Sequence, residues 1–514
     1  MALRIGLDAR GLGSPALRDA LAAAAALAPG AELVLIHDDA APRAPAGAVL
    51  AAAPGALRAA DARRCAPIAL NGLYNAFLAD LRLDALVLPD PFNPAVALPG
   101  SIAACPYLAA VRTARPAIAG GWEGQAWAER LSLALRADAI LAGSEQARRD
   151  LEILAGGPLP QAAAAGDPGL LDRVIAADGR RFRIALWTPL RPTRSGIADY
   201  VEDLLPYLGA QRVAGRAARI DVYTRDEPDS PAARDRCAVL SPEAFEAIDR
   251  RRPYDGLIYQ VGSTVAHHDY ICRQAMRRPG VIVMHDPNLH SYALARGREG
   301  YLEAVRAELG EAGAEEARRA QGDDRLRPAF IYRHPLDGWL LRSARAVIYH
   351  SHYAAVAARR RHAGLPAFYV PMSAPAPAPL DPRQRQLVLA RHGWGPGAVL
   401  VGTFGIVAPS KRVGALLRAF SAVSLLHPQA VLLVVGGVAE GDPAAEARRL
   451  RLPPDRVAIR GAVDMDEFLA CLEAVDIGVA LRHPSLGETS AAAIRLIRMG
   501  KPVIVSDIPQ FREL

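Results

Sequence analysis

The residues of this chain that could do chemistry stand where apolar runs end. Gly402-Thr403-Phe404-Gly405-Ile406-Val407-Ala408-Pro409-Ser410-Lys411-Arg412 joins a run of strand character, residues 398–404, to a helix-like stretch, residues 413–425. A glycine at a strand end lets a ligand approach the backbone closely. A lysine just before a helix adds a point charge where the first amides already favour an oxyanion. The spacing of a Walker loop is absent, and a surface lysine is the plainer reading. Yet Lys411 and Lys501 are the only lysines among 61 Lys and Arg residues, which singles both out.

A second set is His483-Pro484-Ser485-Leu486-Gly487-Glu488-Thr489-Ser490, followed by a helical run, residues 491–499, and Gly500. The pattern predicts a helix capped within 487–489, with Gly500 at C′. The amides of Thr489 and Ser490 could then hold a diphosphate, the helix dipole adding ~0.3–1 kcal/mol. First-turn capping is the other reading of Glu488. His285 ends the run Val281-Ile282-Val283-Met284, where open α/β sheets place ligands. A histidine hydrogen-bonded under a loop is the alternative there. In Ser195-Gly196-Ile197-Ala198-Asp199, Gly196 would permit a tight turn and expose amides at a helix start. Two patterns lead nowhere. Asp464-Met465-Asp466 has the spacing of metal-dependent sugar transfer, but a helix over residues 467–474 follows it, so capping explains it. Gly11-Leu12-Gly13 lacks the dinucleotide fingerprint, so hydride transfer has no support.

Three strand-then-helix openings must position these residues: residues 3–8 before 17–27, 182–187 before 198–208, and 398–404 before 413–425. Short apolar runs alternating with amphipathic helices imply βαβ units and parallel sheets. The first two segments look like repeats, because Ala137-Asp138-Ala139-Ile140-Leu141-Ala142-Gly143-Ser144 matches Ala344-Arg345-Ala346-Val347-Ile348-Tyr349-His350-Ser351. Two related Rossmann-like domains in tandem are therefore expected. The Gly/Pro/Ala stretch 155–168 reads as a linker, and the Pro/Ala alternation 371–382 as a hinge. Further strands are expected at 430–435, 457–460, 477–481 and 502–506. The chain stops just after a strand and turn, which suggests a fragment or an incompletely predicted gene.

At 514 residues the chain suits about three domains, and 51% hydrophobic with 22% charged residues supports packed cores. A net charge of +7 is compatible with phosphate handling, with no stripe that points to nucleic acid. Contact between basic side chains and an anionic membrane surface stays open. The five cysteines, Cys65, Cys105, Cys237, Cys272 and Cys471, are widely spaced, so neither a disulfide framework nor a zinc site is expected. With no signal peptide or apolar span, the default location is the cytoplasm.

From about Arg183 to Leu514 the chain resembles family-4 retaining glycosyltransferases (glycosyl transferases group 1). The segments that carry the resemblance are Thr188-Pro189-Leu190 through Tyr200, Val283-Met284-His285-Asp286, His350-Ser351, Gly405 through Lys411, and Gly487-Glu488 through Gly500-Lys501-Pro502-Val503-Ile504-Val505-Ser506-Asp507. The resemblance implies a GT-B architecture: an acceptor-binding Rossmann-like domain over residues 182–372 and an incomplete donor-binding one over 373–514. Residues 1–165 resemble a diverged acceptor-type half, with a linker over 166–181. It implies transfer of a sugar from a nucleotide diphosphate to a glycan or glycolipid acceptor, with retention and without a metal or other cofactor. Lys411 would neutralise the diphosphate, Glu488 would contact sugar hydroxyls, and His285 would lie near the transferred sugar. Gly405, Ser410, Arg412, Gly487, Thr489 and Ser490 complete the donor side, and Ser195, Gly196 and Asp199 form an acceptor-side loop. Three places depart from the family. The second glutamate, separated from the first by seven residues, is replaced, by Leu496 in direct count or by Arg495 when aligned on Gly500. The arginine before the lysine is replaced by Gly405-Ile406, for which Arg412 could substitute. The place of His285 in the first segment reads Ala110-Val111-Arg112. A catalytically inert interaction protein and a nucleotide-sugar epimerase are the competing functions.

Overall fold

The computed structural model describes residues 181–226, 237–251, 253–374 and 382–514, and, earlier, 4–10, 20–24, 31–37, 49–52, 74–75, 77–78, 80–81, 85–89, 107–112, 139–142, 148–149 and 162–164. Gly11-Leu12-Gly13 and most of the stretches 155–168 and 371–382 lie outside these residues.

The strands fall into three sheets. The first comprises β1 (Arg4–Asp8), β2 (Glu32–His37), β3 (Val49–Ala52), β4 (Ala85–Pro89), β5 (Tyr107–Arg112), β6 (Ala139–Ala142) and β7 (Ala162–Ala164). The second comprises β8 (Phe182–Trp187), β9 (Arg212–Val213), β10 (Arg216–Tyr223), β11 (Ala238–Leu240), β12 (Gly256–Val261), β13 (Val281–Met284), β14 (Ala346–Tyr349) and β15 (Ala367–Tyr369). The third comprises β16 (Val399–Phe404), β17 (Ala430–Val435), β18 (Val457–Arg460), β19 (Ile477–Ala480) and β20 (Val503–Val505). The orders are β3-β2-β1-β4-β5-β6-β7, β11-β10-β8-β12-β13-β14-β15 with β9 beside β10, and β18-β17-β16-β19-β20. Each order contains the 3-2-1-4-5 of a Rossmann-like sheet, extended by two further strands in the first two sheets. The architecture is thus α/β with tandem Rossmann-like sheets, the GT-B pattern over the last two.

The suspected repeat is visible in the topology. β6 and β14 hold the same sixth place, and β5 and β13 the same fifth place, in their sheets. Ladder register pairs Arg112 with Ala142 and Met284 with Tyr349. By that register Arg112 corresponds to Met284, the residue before His285. The sheet also corrects the first linker: Ala162–Ala164, inside the stretch 155–168, is strand β7 and pairs with β6. An alanine run carries no turn chemistry of its own and can complete a ladder.

The helices used below are α1 (Gly196–Leu208), α2 (His352–Arg361), α3 (Val413–Leu426), α4 (Met465–Ala474) and α5 (Ala491–Arg498). β17 is buried along its whole length, as a central parallel strand covered on both faces should be. Its side chains alternate. Val431, Leu433 and Val435 pack with Leu472, Val475 and Leu496, while Leu432 and Val434 pack with Leu417 and Phe420. Each such side chain contributes roughly 1.5–3 kcal/mol of burial, which holds the strand ends, and the loops they carry, in place. The chain divides into two compact units, Met1–Gln260 and Val261–Leu514, at a point within β12 where the sequence shows neither proline nor loop. Among the described residues no helix is long and apolar enough to cross a membrane, and Cys237, Cys272 and Cys471 are buried.

Candidate functional site

Three loops at strand ends build the site, all within residues 261–514. The first leaves β16. The amide of Gly405 donates to the Val435 carbonyl at 2.9 Å, and Gly405 itself adopts φ +107°. A side chain at Gly436 (φ +146°) would collide with the Gly405 carbonyl, so the two strand ends touch backbone to backbone. Pro409–Lys411 then forms a single 3-10 turn, and Arg412, left-handed at φ 57°, opens α3. Half-buried Lys411, at the end of that turn, lines a pocket together with Thr403, Phe404, Gly405, Arg482 and Ser490. Arg412 is exposed and does not line this pocket, so it does not fill the place of the absent family arginine there. Ser410 contributes its carbonyl, which accepts the His483 amide at 2.8 Å and ties the first loop to the second.

The second loop leaves β19. Its first polar side chain is Arg482, 6% exposed, whose amide donates to Ser506 Oγ at 2.9 Å. Arg482 Nε stands 3.2 Å from Glu488 Oε1. Burial pulls the guanidinium pKa down while the Glu488 and Asp286 charges pull it up. Glu488 Oε2 accepts the Leu486 amide at 2.8 Å. The helix cap differs from expectation. Ser490, not residues 487–489, caps α5, its Oγ accepting the Ala493 amide at 3.3 Å. A hydroxyl three residues ahead of an amide closes that ring, whereas Glu488 is turned back into its own loop. The first helical bond runs from Ile494 to the Ser490 carbonyl, so the amides of Ala491 and Ala492 precede it and are the unspent donors of the helix start. The other end of α5 matches expectation. Gly500, at φ 70°, donates to the Ile497 carbonyl and Lys501 to that of Leu496, the Schellman pattern.

The third loop follows β13. His285 is 8% exposed, its amide donates to the Val261 carbonyl at 2.9 Å, and its ring centroid lies 4.8 Å from that of His350. Burial, with the neighbouring His350 and His268, holds its pKa well below the ordinary histidine value. His285 is therefore a neutral imidazole at pH 7. His350 Nδ1 donates to the Val370 carbonyl at 2.9 Å, and the His350 carbonyl accepts the Thr489 hydroxyl at 3.3 Å. Asp286 accepts the amide and hydroxyl of Ser263 at 2.8 and 2.9 Å. Gly487, buried and at φ +95°, lies against Pro287.

Lys411, Arg482 and Ser490 thus share one pocket, and Thr489 and Gly487 connect it to the His350–His285 pair. His285 is not itself a lining residue of that pocket. Arg482 is the residue that sequence reasoning missed. Its signal was a cation at the end of the run 477–481, hidden by the abundance of arginine. Lys501 plays a structural part: its Nζ donates to the Glu473 carbonyl at 2.6 Å, in the last turn of α4. Asp464 caps α4, accepting the Glu467 amide at 2.8 Å, as its position implies. In the other unit, Ser195 caps α1 by accepting the Ile197 amide at 3.2 Å, and Asp199 pairs with Arg191 at 2.8 Å. Gly196 is exposed at the start of α1 without the positive φ of a tight turn, and a side chain there would meet nothing within 4 Å.

No curated protein matches the sequence. Among solved structures, similar chains include Anabaena HepE in complex with UDP and glucose (15% identity, 65% of this chain and 83% of that one, TM-score 0.44). Others are WaaG, a glycosyltransferase involved in lipopolysaccharide biosynthesis (14%, 64% and 82%, 0.41), and a glycosyltransferase from Rickettsia africae (10%, 65% and 81%, 0.43). Likenesses at this level leave the chemistry to the residues themselves. Residues 395–514, which contain the first two site loops, match the family model described as Glycosyl transferases group 1, and that match supports a transferase.

Proposed function

We propose that this chain is a retaining glycosyltransferase that moves a sugar from a nucleotide diphosphate to a glycan or glycolipid acceptor, in the cytoplasm and without a metal. The observation that carries the reading is the meeting of Lys411, Arg482 and Ser490 in one pocket at the ends of β16 and β19. Breaking the bond between sugar and diphosphate builds negative charge on the leaving group. Preorganised donors aimed at that charge are worth ~100–1,000-fold each. The Lys411 ammonium and the open amides of α5 supply such donors in the role a metal would otherwise take. His285, neutral, offers a hydrogen bond to the sugar without adding a charge. Attack from the face of the departing phosphate then retains the anomeric configuration. Residues 182–372 bind the acceptor, and residues 1–165 are a diverged copy of that half.

Thermal unfolding with UDP, GDP, ADP and dTDP tests the donor. A ligand at 100 times its Kd adds ~2.7 kcal/mol, and a protein stabilised by none of them is not a nucleotide-sugar transferase. Product anomers resolved by NMR test retention, and turnover persisting in EDTA tests metal independence. An epimer formed in the absence of acceptor would replace the transfer reading.

A further inference from the structure

The resemblance would have Glu488 hold the sugar and leaves the place of a second phosphate-binding cation vacant. The side chains are arranged otherwise. Arg482 is 6% exposed and lines the pocket with Lys411. Its Nε is within ion-pair distance of Glu488 Oε1, at 3.2 Å, yet makes no hydrogen bond. The N–H is thus not directed at the carboxylate. Glu488 Oε2 is meanwhile turned to its own loop, at 2.8 Å from the Leu486 amide and 3.5 Å from Ser485 Oγ. Ser485 is anchored in turn by Gln510. A buried guanidinium with an undirected N–H is one that an anion in the pocket would complete, because a buried cation is stable only when paired and hydrogen-bonded.

We infer that Arg482 is the second ligand of the donor diphosphate, opposite Lys411, and that Glu488 is a positioning residue that orients Arg482 instead of a contact to the sugar. This rests on the donor reading above and changes the part played by two of its residues. Lys411 arrives from the loop after β16 and Arg482 from the strand end of β19, and β16 and β19 are adjacent in the sheet. The diphosphate is therefore gripped from two neighbouring strands, in a pocket that Ser490 at the start of α5 also lines. Asp286 adds a second carboxylate whose charge acts on Arg482. The loop that carries His285 is thereby coupled electrostatically to the same cation.

The two roles of Glu488 predict different binding. The probes are whichever of UDP, GDP, ADP and dTDP most raises the unfolding midpoint, and the matching UDP-glucose, GDP-mannose, ADP-glucose or dTDP-glucose, each titrated by calorimetry. Arg482→Gln should weaken both the free diphosphate and its hexose ester at least tenfold, the loss expected of a charge-assisted hydrogen bond, and Arg482→Lys should recover part of it. Glu488→Gln should weaken both ligands by the same factor, at least threefold, since it acts through Arg482. If Arg482→Gln does not fold, Glu488→Gln alone decides. A Glu488→Gln protein that binds the diphosphate like the wild type, whether or not it loses the hexose ester, overturns the inference and leaves the donor reading standing. So does an Arg482→Gln protein with wild-type affinity when Lys411→Ala has lost it. A wild-type protein that binds none of the diphosphates overturns both.

Discussion

Gly487 lies so near Pro287 that a β-carbon on it would stand 3.3 Å from the proline Cγ. Its backbone is also left-handed, at φ +95°. Two independent constraints therefore fall on one residue, at the point where the loop after β19 meets the loop after β13. Gly487→Ala should cost about 1–3 kcal/mol of backbone strain, seen as a lower urea midpoint and weaker nucleotide binding. An unchanged midpoint would mean that the loop moves freely away from Pro287.

The two lysines separate function from structure. Lys411→Ala should lower kcat by ~100–1,000-fold with the thermal midpoint preserved, because the side chain faces a pocket and not the core. Lys501→Ala should do the reverse. It loses a hydrogen bond to the Glu473 carbonyl, worth about 1.5–3 kcal/mol for a charged donor, and keeps its turnover. Equal turnover in wild type and Lys411→Ala removes Lys411 from the mechanism.

Asp464→Ala should remove the cap of α4, a loss of about 0.5–2 kcal/mol. Turnover and its response to added Mn²⁺ should match the wild type. An enzyme that becomes Mn²⁺-dependent or inactive on this change would restore the metal-binding reading of Asp464-Met465-Asp466.

Stability should fall on mild acidification. His290 is 2% exposed and burial lowers its pKa to about 4, while burial and the neighbouring histidines hold that of His285 well below the ordinary histidine value. An unfolded histidine titrates near ~6.5. Between that value and about 4 the unfolded chain binds more protons than the native one, so acid favours unfolding. The slope is at most about 1.4 kcal/mol per pH unit for each such histidine. Urea midpoints at pH 7.5, 6.0 and 5.0 should decrease in that order, and an increase would mean that the histidines are charged in the native state.

The strand ends were legible because they depend on local pattern. β13, β17 and β18 occupy the residues expected for them, and Gly500 closes α5 where a C′ glycine should. The cap of α5 falls one residue later than the pattern predicts, since Thr489 and Ser490 can both cap and only the path of the loop selects between them. Strand β7 was hidden because three alanines have neither the β-branching nor the alternation that marks a strand.

Residue periodicity, turn chemistry and glycine position therefore determined three Rossmann-like sheets and the loops that carry Lys411, Glu488 and His285, for each of these is set by neighbours a few residues away. Which loop ends face one another was decided only by tertiary structure. Arg482 acquires its meaning from β19 lying beside β16 and from Glu488 turning toward its side chain. The pairing of distant strands, and the burial it imposes on one arginine among many, arises from the packing of the whole sheet.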